Sequence, residues 1–211
     1  MQKEDLRLYF ICGTQDINDG QSIEQILKTA LEAGITMFQF REKGSSALQG
    51  AEKEALARKL HTLCKGYNVP FIVNDDIELA LTIEADGVHV GQNDTDVQQF
   101  RQHFTNKIIG LSVGTVEEYK QSDLSYIDYI GVGPMFDTSS KADANAPVGP
   151  TMITTLRSLV GNMPIVGIGG ITTSNFQPVL AAGADGISVI SAISKSDDIT
   201  KTIRYFLQSV E

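Results

Sequence analysis

Basic and amide side chains alternate along one short apolar run of the sequence, at Gln39, Arg41 and Lys43. In an extended chain alternate residues share a face, so these three point one way, while Phe38 and Phe40 point the other way, toward packing helices. The planar fork of arginine and the point charge of lysine suit a polyanion. The alternative is a solvated strand end, in which the glutamate at position 42 is a salt partner.

Carboxylates follow the next two apolar runs, in Asn74-Asp75-Asp76 and in Gln92-Asn93-Asp94. Asp75 and Asp94 are expected at the ends of adjacent strands, where their carboxylates can approach each other. Two oxygen donors without a nearby His or Cys suit a hard cation such as Mg²⁺, which takes substrate phosphates as further ligands. Helix capping is the alternative; we assign it to Asp76 and leave it open for Asp94.

Glycines at the end of a later run suit a second anion. Gly169-Gly170 ends the seventh run and Ser191 the eighth, and glycine lets backbone N–H groups approach an anion closely. The alternative is a tight turn that leads into a helix cap at Thr172 or Thr173. Ser112, at the end of the fifth run, adds a hydroxyl to the set.

The longest irregular segment, residues 134–150, carries Thr138-Ser139-Ser140-Lys141. Long loops in compact domains are usually functional, and we expect this one to form a lid over the site. No Ser/His/Asp or Cys/His triad can be assembled from the sequence. His89 lies in an apolar run, where a satisfied core or lining histidine is favoured over a general base.

The elements that position these residues are eight apolar runs rich in Ile, Val, Phe and Tyr, separated by amphipathic segments of helix length. Such alternation predicts a (βα)8 barrel or a doubly wound sheet. We favour a single α/β domain over residues 1–211, a (βα)8 TIM barrel, because eight units fill the length and residues 12–17 lack the glycine fingerprint of a doubly wound sheet. The predicted strands are 6–12, 37–41, 70–74, 87–90, 107–112, 129–133, 164–169 and 186–191.

The predicted helices flank these strands. One begins after Ser22 as its N-cap and stops at Gly34. The others cover 51–64, 95–104, 152–160, 176–182 and 199–210. A barrel brings the carboxyl ends of all its strands to one mouth, where the cations, the carboxylates and the glycine pair would meet. Two separated anion subsites fit two phosphorylated substrates better than one.

The composition excludes several classes of function. The chain has 211 residues, and 17 Lys+Arg against 26 Asp+Glu leave a formal net charge of −9. Such an acidic chain has no electrostatic footprint for nucleic acid and is a poor candidate for anionic membrane surfaces. No apolar run approaches the ~18 residues of a membrane span, and no secretory signal is visible. Cys12 and Cys64 lack ligand spacing, so we expect free thiols in a reducing cytoplasm.

Five motifs follow one another along nearly the whole chain. They are Gln39-Phe40-Arg41-Glu42-Lys43-Gly44, Phe71-Ile72-Val73-Asn74-Asp75, Gly87-Val88-His89-Val90-Gly91-Gln92-Asn93-Asp94, Gly131-Val132-Gly133-Pro134 and Pro164-Ile165-Val166-Gly167-Ile168-Gly169-Gly170-Ile171. Together they resemble the motifs of the thiamine phosphate synthase family. The resemblance implies a transferase that joins a hydroxymethylpyrimidine diphosphate to a phosphorylated hydroxyethylthiazole and releases diphosphate.

The resemblance also implies a role for particular residues. Asp75 and Asp94 would hold Mg²⁺. The pyrimidine diphosphate would be held by Gln39, Phe40, Arg41, Glu42, Lys43, Asn74, Ser112 and Lys141, of which Arg41, Lys43, Ser112 and Lys141 would be catalytic. The thiazole phosphate would be held by Thr138, Ser139, Ser140, Gly170, Ile190 and Ser191.

Two alternatives remain open at this point. A thiazole tautomerase on the same barrel would need the phosphate cradle and an acid–base group, but neither the metal pair nor the diphosphate-binding row. A non-catalytic barrel that binds phosphorylated metabolites would need no metal. The presence of Asp75, Asp94, Gln39, Arg41 and Lys43 together favours the synthase. A homo-oligomer is possible.

Overall fold

The predicted strands close into a parallel barrel in the computed structural model, which describes residues 1–92, 97–138, 140 and 146–208. The strands are β1 (Leu8–Cys12), β2 (Met37–Phe40), β3 (Phe71–Asn74), β4 (Gly87–Val90), β5 (Ile108–Ser112), β6 (Tyr129–Val132), β7 (Ile165–Ile168) and β8 (Gly186–Val189). They pair in chain order, and β8 returns to β1 with Ile187 opposite Leu8. The (βα)8 prediction is confirmed, and the doubly wound alternative is wrong because that sheet would have two open edges.

Several strands end before the apolar runs that predict them. In β8 the run continues to Ser191, but the strand stops at Val189 and a short helix begins at Ser191. In β2 the run continues to Arg41, whereas the strand ends at Phe40. Arg41 and Ile190, which follow the last strand residues, are outside the regular strand pairing and lie at the mouth of the barrel.

Helices connect the strands around the outside of the barrel. They are α1 (Ile23–Ala33), α2 (Gly50–Gly66), α3 (Ile77–Thr82), α4 (Val97–Phe100), α5 (Val116–Gln121), α6 (Pro150–Val160), α7 (Gln177–Ala181), α8 (Ser191–Ser194) and α9 (Ile199–Gln208). The predicted ends of α1 are confirmed, because the Ser22 hydroxyl accepts a hydrogen bond from the Gln25 N–H and Gly34 ends the helix with a φ of 106°. Short 3-10 helices add Lys3–Leu6, Thr14–Asp16 and Arg101–His103.

Two helix predictions are resolved in more detail by the structure. Asp76 caps α3, since its carboxylate accepts the Leu79 N–H at 2.9 Å, as the sequence predicts. The helix predicted for 95–104 is α4 followed by the 3-10 turn Arg101–His103, a common way for a helix to tighten at its end. Residues 95 and 96 lie outside the described ranges.

The core has two layers because strand side chains alternate in direction. Phe10, Phe38 and Phe71 are buried in the layer between strands and helices. A second layer fills the inside of the barrel and includes Tyr9 and Tyr129. Burying each phenylalanine of the outer layer contributes about 1.5–3 kcal/mol to folding. Because side chains fill the inside of the barrel, a ligand has room only at its mouth.

None of the helices in the described ranges combines the length and the apolar content that crossing a membrane requires. Cys12 and Cys64 are both free and buried.

Candidate active site

The carboxyl ends of the strands surround a cavity of about 310 Å³. Its wall brings together residues that lie far apart in the chain. Of the predicted site residues, those that line it are Arg41, Lys43, Asn74, Asp75, Ser112, Thr138, Ser140, Gly170, Ile190 and Ser191. The expectation that these elements converge at one mouth is therefore confirmed for the described residues.

Arg41 is held by its backbone, which leaves its guanidinium for the cavity. Its N–H donates to the Cys12 carbonyl at 3.1 Å, and its carbonyl accepts from Gln15 Nε2 at 2.7 Å. The residue is 6% exposed, and no oxygen in the described part of the chain accepts a hydrogen bond from the guanidinium. Within the described ranges, the Arg41 nitrogens are not among the fully buried polar atoms without a partner, so they reach the cavity, where an anion would supply the hydrogen-bond acceptors.

Asp16 compensates part of the buried charge of Arg41. Burial raises the pKa of the Asp16 carboxyl, while the Gly13 N–H and the positive charge of Arg41 act in the opposite direction. Asp16 also accepts from Gln15 Nε2 at 2.8 Å, so the loop after β1 supports the arginine from behind.

Lys43 and Asp75 form an ion pair at the rim, with Nζ and Oδ2 3.0 Å apart. Asp75 takes a φ of 60°, which is unusual for a residue other than glycine, and its N–H donates to the His89 carbonyl at 2.9 Å. Strained backbone of this kind clusters at functional sites. The conformation turns Asp75 into the same cavity as Asn74.

The donors at this rim fit a hard cation. The Asp75 carboxylate and the Asn74 amide supply oxygen, and Mg²⁺ typically takes one or two carboxylates and completes its shell with water and phosphate. Within the described ranges, no three His, Cys, Asp or Glu side chains are grouped as a metal cage would require. Asp94, the second predicted ligand, lies outside the described residues, so its distance from Asp75 stays a prediction.

A glycine turn forms the opposite wall. Gly169 and Gly170 have φ values of 96° and 65°, and a Cβ at Gly170 would overlap the backbone of Phe136 and Asp137. The Phe136 N–H donates to the Gly169 carbonyl at 3.0 Å. The turn therefore packs directly against the start of the segment 134–150. Thr172 and Thr173 do not cap a helix here, because α7 begins only at Gln177.

Hydroxyl groups complete this wall. Thr138 and Ser140 come from the segment 134–150, and the Ser140 hydroxyl donates to the Ser191 hydroxyl at 3.4 Å. Ile190 lies beside them at the end of β8. Ser139 and Lys141 lie outside the described residues, as do residues 142–145, so the lid predicted for 134–150 is described only in part.

Two predicted contacts are corrected. Phe40 is 1% exposed and its ring stacks on Phe71 with centroids 6.3 Å apart, so its side chain belongs to the outer core layer and not to the cavity. The Glu42 carboxylate is occupied by the backbone N–H groups of Thr14 and Leu48, at 2.9 and 2.8 Å. Glu42 thus holds together the loops behind Arg41. The alternative that Glu42 is a salt partner at a solvated strand end is corrected in the same way, because its carboxylate accepts from backbone N–H groups.

Gln39 shares the face of Arg41, as predicted, but lies deeper. Residues two apart on a parallel strand are separated by about 6.6 Å along it, which moves Gln39 one layer into the barrel. It is 1% exposed, does not line the cavity and donates from Nε2 to the Tyr9 hydroxyl at 2.7 Å.

Polar residues form the floor of the cavity, and sequence reasoning missed two of them, Ser188 and Tyr129. His89 and Ser188 line it, and Tyr129 lies directly below, with its hydroxyl 2.9 Å from His89 Nδ1. His89 Nε2 is 2.9 Å from the Ser112 hydroxyl, in line with the prediction of a satisfied lining histidine. Strand alternation places all four on the inner face of the barrel, but periodicity does not show which interior side chains touch.

Comparisons with known proteins agree on one family. A family model described as thiamine monophosphate synthase matches residues 8–193. The chain is 63% identical over 203 residues to the thiamine-phosphate synthase of Staphylococcus epidermidis, covering 96% of each sequence. It is 62% identical over 209 residues to that of Staphylococcus saprophyticus, covering 99% of each.

A solved structure gives the same result. Thiamine phosphate pyrophosphorylase from Pyrococcus furiosus matches with a TM-score of 0.86 and 30% sequence identity, over 99% of this chain and 96% of that one. The match extends over the whole barrel and not over a single motif. By sequence and by fold, this chain belongs to the thiamine monophosphate synthase family.

Proposed function

We propose that the chain joins a hydroxymethylpyrimidine diphosphate to a phosphorylated hydroxyethylthiazole, giving thiamine phosphate and diphosphate. The observation that carries the proposal is Arg41, a largely buried residue whose guanidinium faces the cavity with no hydrogen-bond acceptor in the described ranges, across from a glycine turn. One wall suits a diphosphate and the other a phosphate. The names of the relatives support the same reaction.

The reaction begins at the diphosphate wall. The bond between the exocyclic methylene carbon of the pyrimidine and the diphosphate oxygen breaks, and its electron pair leaves with the diphosphate. Arg41 and Lys43 stabilise the charge that develops on that oxygen. The electron-rich aminopyrimidine spreads the positive charge left on the methylene carbon.

The second bond forms from the other wall. Gly170, Ser140 and Ser191 would hold the thiazole phosphate, which tethers the thiazole ring so that the lone pair of its nitrogen forms the new carbon–nitrogen bond. No side-chain nucleophile is consumed and no proton must be removed. This agrees with a cavity in which we find no catalytic triad among the described residues.

Mg²⁺ belongs to the proposal as well. Asp75 would hold it with diphosphate oxygens, and the family resemblance assigns Asp94 to the same ion. The chemistry supplied by the bound ion would be neutralisation of the leaving diphosphate. Lys43 pairs with Asp75 at 3.0 Å, so the basic side chains of the diphosphate wall lie next to the proposed metal ligand.

One coupled assay for diphosphate release tests the function. Both substrates are supplied together and singly, with Mg²⁺ and with a chelator. Release that needs both substrates and the metal supports the proposal. Isomerisation of a thiazole carboxylate phosphate without diphosphate release would identify the tautomerase, and binding without turnover would identify a non-catalytic barrel. We place the protein in the cytoplasm, where its two free cysteines would stay reduced.

Ser188 offers a test of the cavity floor. It is 1% exposed and its hydroxyl has no partner in the described ranges, so the free protein gains little from it. We expect Ser188→Ala to leave the melting temperature unchanged or slightly higher, and to raise the KM of one of the two substrates by about two- to tenfold through loss of one hydrogen bond. Thermal unfolding and initial rates measure the two effects.

A second buried serine is the matched control. Ser194 is 0% exposed but donates to the Asp16 carbonyl at 2.7 Å. Ser194→Ala should lower the melting temperature, because it leaves a buried carbonyl with one partner fewer. An equal loss of stability in both variants would show that the Ser188 hydroxyl is satisfied within the protein.

A further inference from the structure

A continuous chain of hydrogen bonds runs through the barrel beneath the cavity. Gln39 Nε2 donates to the Tyr9 hydroxyl at 2.7 Å, and the Tyr9 and Tyr129 hydroxyls are 2.9 Å apart. The Tyr129 hydroxyl is 2.9 Å from His89 Nδ1, and His89 Nε2 is 2.9 Å from the Ser112 hydroxyl. The chain thus connects five side chains from five different strands or strand ends and stops at the cavity wall.

The packing around the chain holds it in place. The Tyr9 and Tyr129 rings meet edge to face with centroids 5.9 Å apart, and the His89 and Tyr129 rings are 5.5 Å apart. A Cβ at Gly110 would overlap both Tyr129 and His89, so that strand position has room only for glycine. Tyr9 and Tyr129 are fully buried in the inner layer.

The donor at one end sets the direction of every proton in the chain. Because the Gln39 amide donates to Tyr9, the Tyr9 hydroxyl must give its own proton to Tyr129, its other partner in the described ranges. Tyr129 then donates to His89 Nδ1. Burial raises the pKa of both tyrosines well above the usual value, so each hydroxyl keeps its one proton.

The direction of the hydrogen bond between His89 and Ser112 follows from the same assignment of protons. With Nδ1 of His89 accepting, a neutral imidazole carries its proton on Nε2 and donates it to the Ser112 hydroxyl oxygen. An imidazolium would donate from both nitrogens and would leave the Tyr9 proton facing the Gln39 amide N–H. The Ser112 hydroxyl therefore accepts from below and has its own proton available for the cavity.

We propose that Tyr129 and His89 are positioning residues that make Ser112 a hydrogen-bond donor to a ring nitrogen of the bound pyrimidine. The proposal rests on the proposed function for the identity of that ring. A donor aimed at a lone pair orients the heteroaromatic ring, and thus its exocyclic methylene, without taking a proton from it. Tyr129 lies below the cavity and His89 lines its floor, and in this role both act through Ser112.

Kinetic coupling tests the proposal. Tyr129→Phe removes one hydroxyl and keeps the ring, and it should lower kcat/KM about tenfold, the effect of one misdirected hydrogen bond. Ser112→Ala should cost at least as much. In the Ser112→Ala background, Tyr129→Phe should have no further effect, because the residue through which it acts is gone.

Tyr9→Phe is the matched control. It removes a buried hydroxyl from the same stack and with it the donor that fixes the direction, but the Tyr129 hydroxyl remains and can still donate to His89. The loss of stability should be similar in both variants, whereas the loss of kcat/KM should be smaller in Tyr9→Phe than in Tyr129→Phe, because the Tyr129 hydroxyl can still donate to His89. Equal kinetic losses in the two variants, or additive effects of Tyr129→Phe and Ser112→Ala, would overturn the proposal.

A spectroscopic measurement needs no active enzyme. In protein labelled with ¹⁵N-histidine, the signals of His61 and His103 can be removed by substitution, which leaves His89 of the three histidines. We expect a neutral imidazole with the proton on Nε2, and a shift toward the other tautomer that is larger in Tyr129→Phe than in Tyr9→Phe. A proton on Nδ1 in the unsubstituted protein would overturn the direction of the chain. If diphosphate release is absent while the tautomer is as expected, the proposed function fails and the hydrogen-bond direction stands.

Discussion

Replacing Arg41 with glutamine is expected to lower kcat/KM by about 10²–10³-fold, the usual effect of removing a preorganised donor from a site of developing negative charge. The expectation follows from the placement of Arg41, a residue that is 6% exposed and whose guanidinium faces the cavity without a hydrogen-bond acceptor in the described ranges. The backbone bonds of Arg41 to Cys12 and Gln15 do not depend on its side chain, so the barrel should still fold. Steady-state rates of diphosphate release measure the effect.

Two control variants are needed. One tests whether the charge of Arg41 is enough without its shape, and the other tests whether losing any arginine lowers the activity. Arg41→Lys keeps the charge but loses the planar fork, so it should recover only part of the activity. Arg58→Gln changes an arginine on the outside of α2, where it pairs with Glu54, and should leave kcat/KM unchanged. Near-normal activity in Arg41→Gln would remove this residue from the diphosphate site.

The same substitution should change how stability depends on pH. Burial raises the pKa of Asp16, and the charge of Arg41 opposes that rise, so the pKa should increase further in Arg41→Gln. When the pKa of a carboxyl is higher in the folded than in the unfolded state, the protein loses stability as the pH rises from the unfolded-state pKa through the folded-state pKa. Arg41→Gln should therefore cost more stability at neutral pH than at mildly acidic pH. Melting temperatures across this range provide the check.

Replacing Asp75 with asparagine is expected to lower kcat/KM on the order of 100-fold at fixed Mg²⁺, since losing a metal ligand forfeits several kcal/mol of charge stabilisation. The half-saturating Mg²⁺ concentration should rise, because asparagine offers a neutral oxygen in place of a carboxylate. The variant also removes the Lys43 partner at 3.0 Å, so a Mg²⁺ titration, and not activity alone, is the informative measurement. An unchanged Mg²⁺ requirement would exclude Asp75 as a ligand.

The neighbouring aspartate provides the matched control. Asp76 caps α3 and pairs with Lys53 at 2.7 Å, outside the cavity lining. Asparagine is also a good N-cap, so Asp76→Asn should cost at most about 1 kcal/mol of stability. Its Mg²⁺ dependence should equal that of the unsubstituted protein. A change there would mean that local unfolding, and not ligation, explains Asp75→Asn.

The residues at the mouth of the barrel were predictable from the sequence because a simple rule places them. Eight apolar runs with helical segments between them predict the barrel, and the barrel brings strand ends together. Arg41, Asp75 and Gly170 are therefore assigned to one mouth before any coordinates are known, and the cavity contains all three. The identity of the substrates came from the resemblance of five motifs to a family.

Other features depend on distances that alternation cannot supply. The period of two assigns Gln39 and Arg41 to one face and the strand rise separates them by about 6.6 Å, but only the structure shows that the cavity ends above Gln39, which donates to the Tyr9 hydroxyl. Motif matching included Phe40 and Glu42 in the substrate contacts because they belong to the same motif as Arg41 and Lys43, which line the cavity. The structure places one in the outer core and the other against loop N–H groups.

By itself, the sequence determined the barrel, the mouth at which its polar residues gather and the family. Only the tertiary structure decided which side chains touch below that mouth: Tyr9 meets Tyr129, and His89 meets Ser112, across strands that are 23 to 120 residues apart in the chain. The physical reason is that hydrophobic periodicity reports the direction of a side chain from its own strand, whereas a hydrogen bond depends on the position of two strands relative to each other.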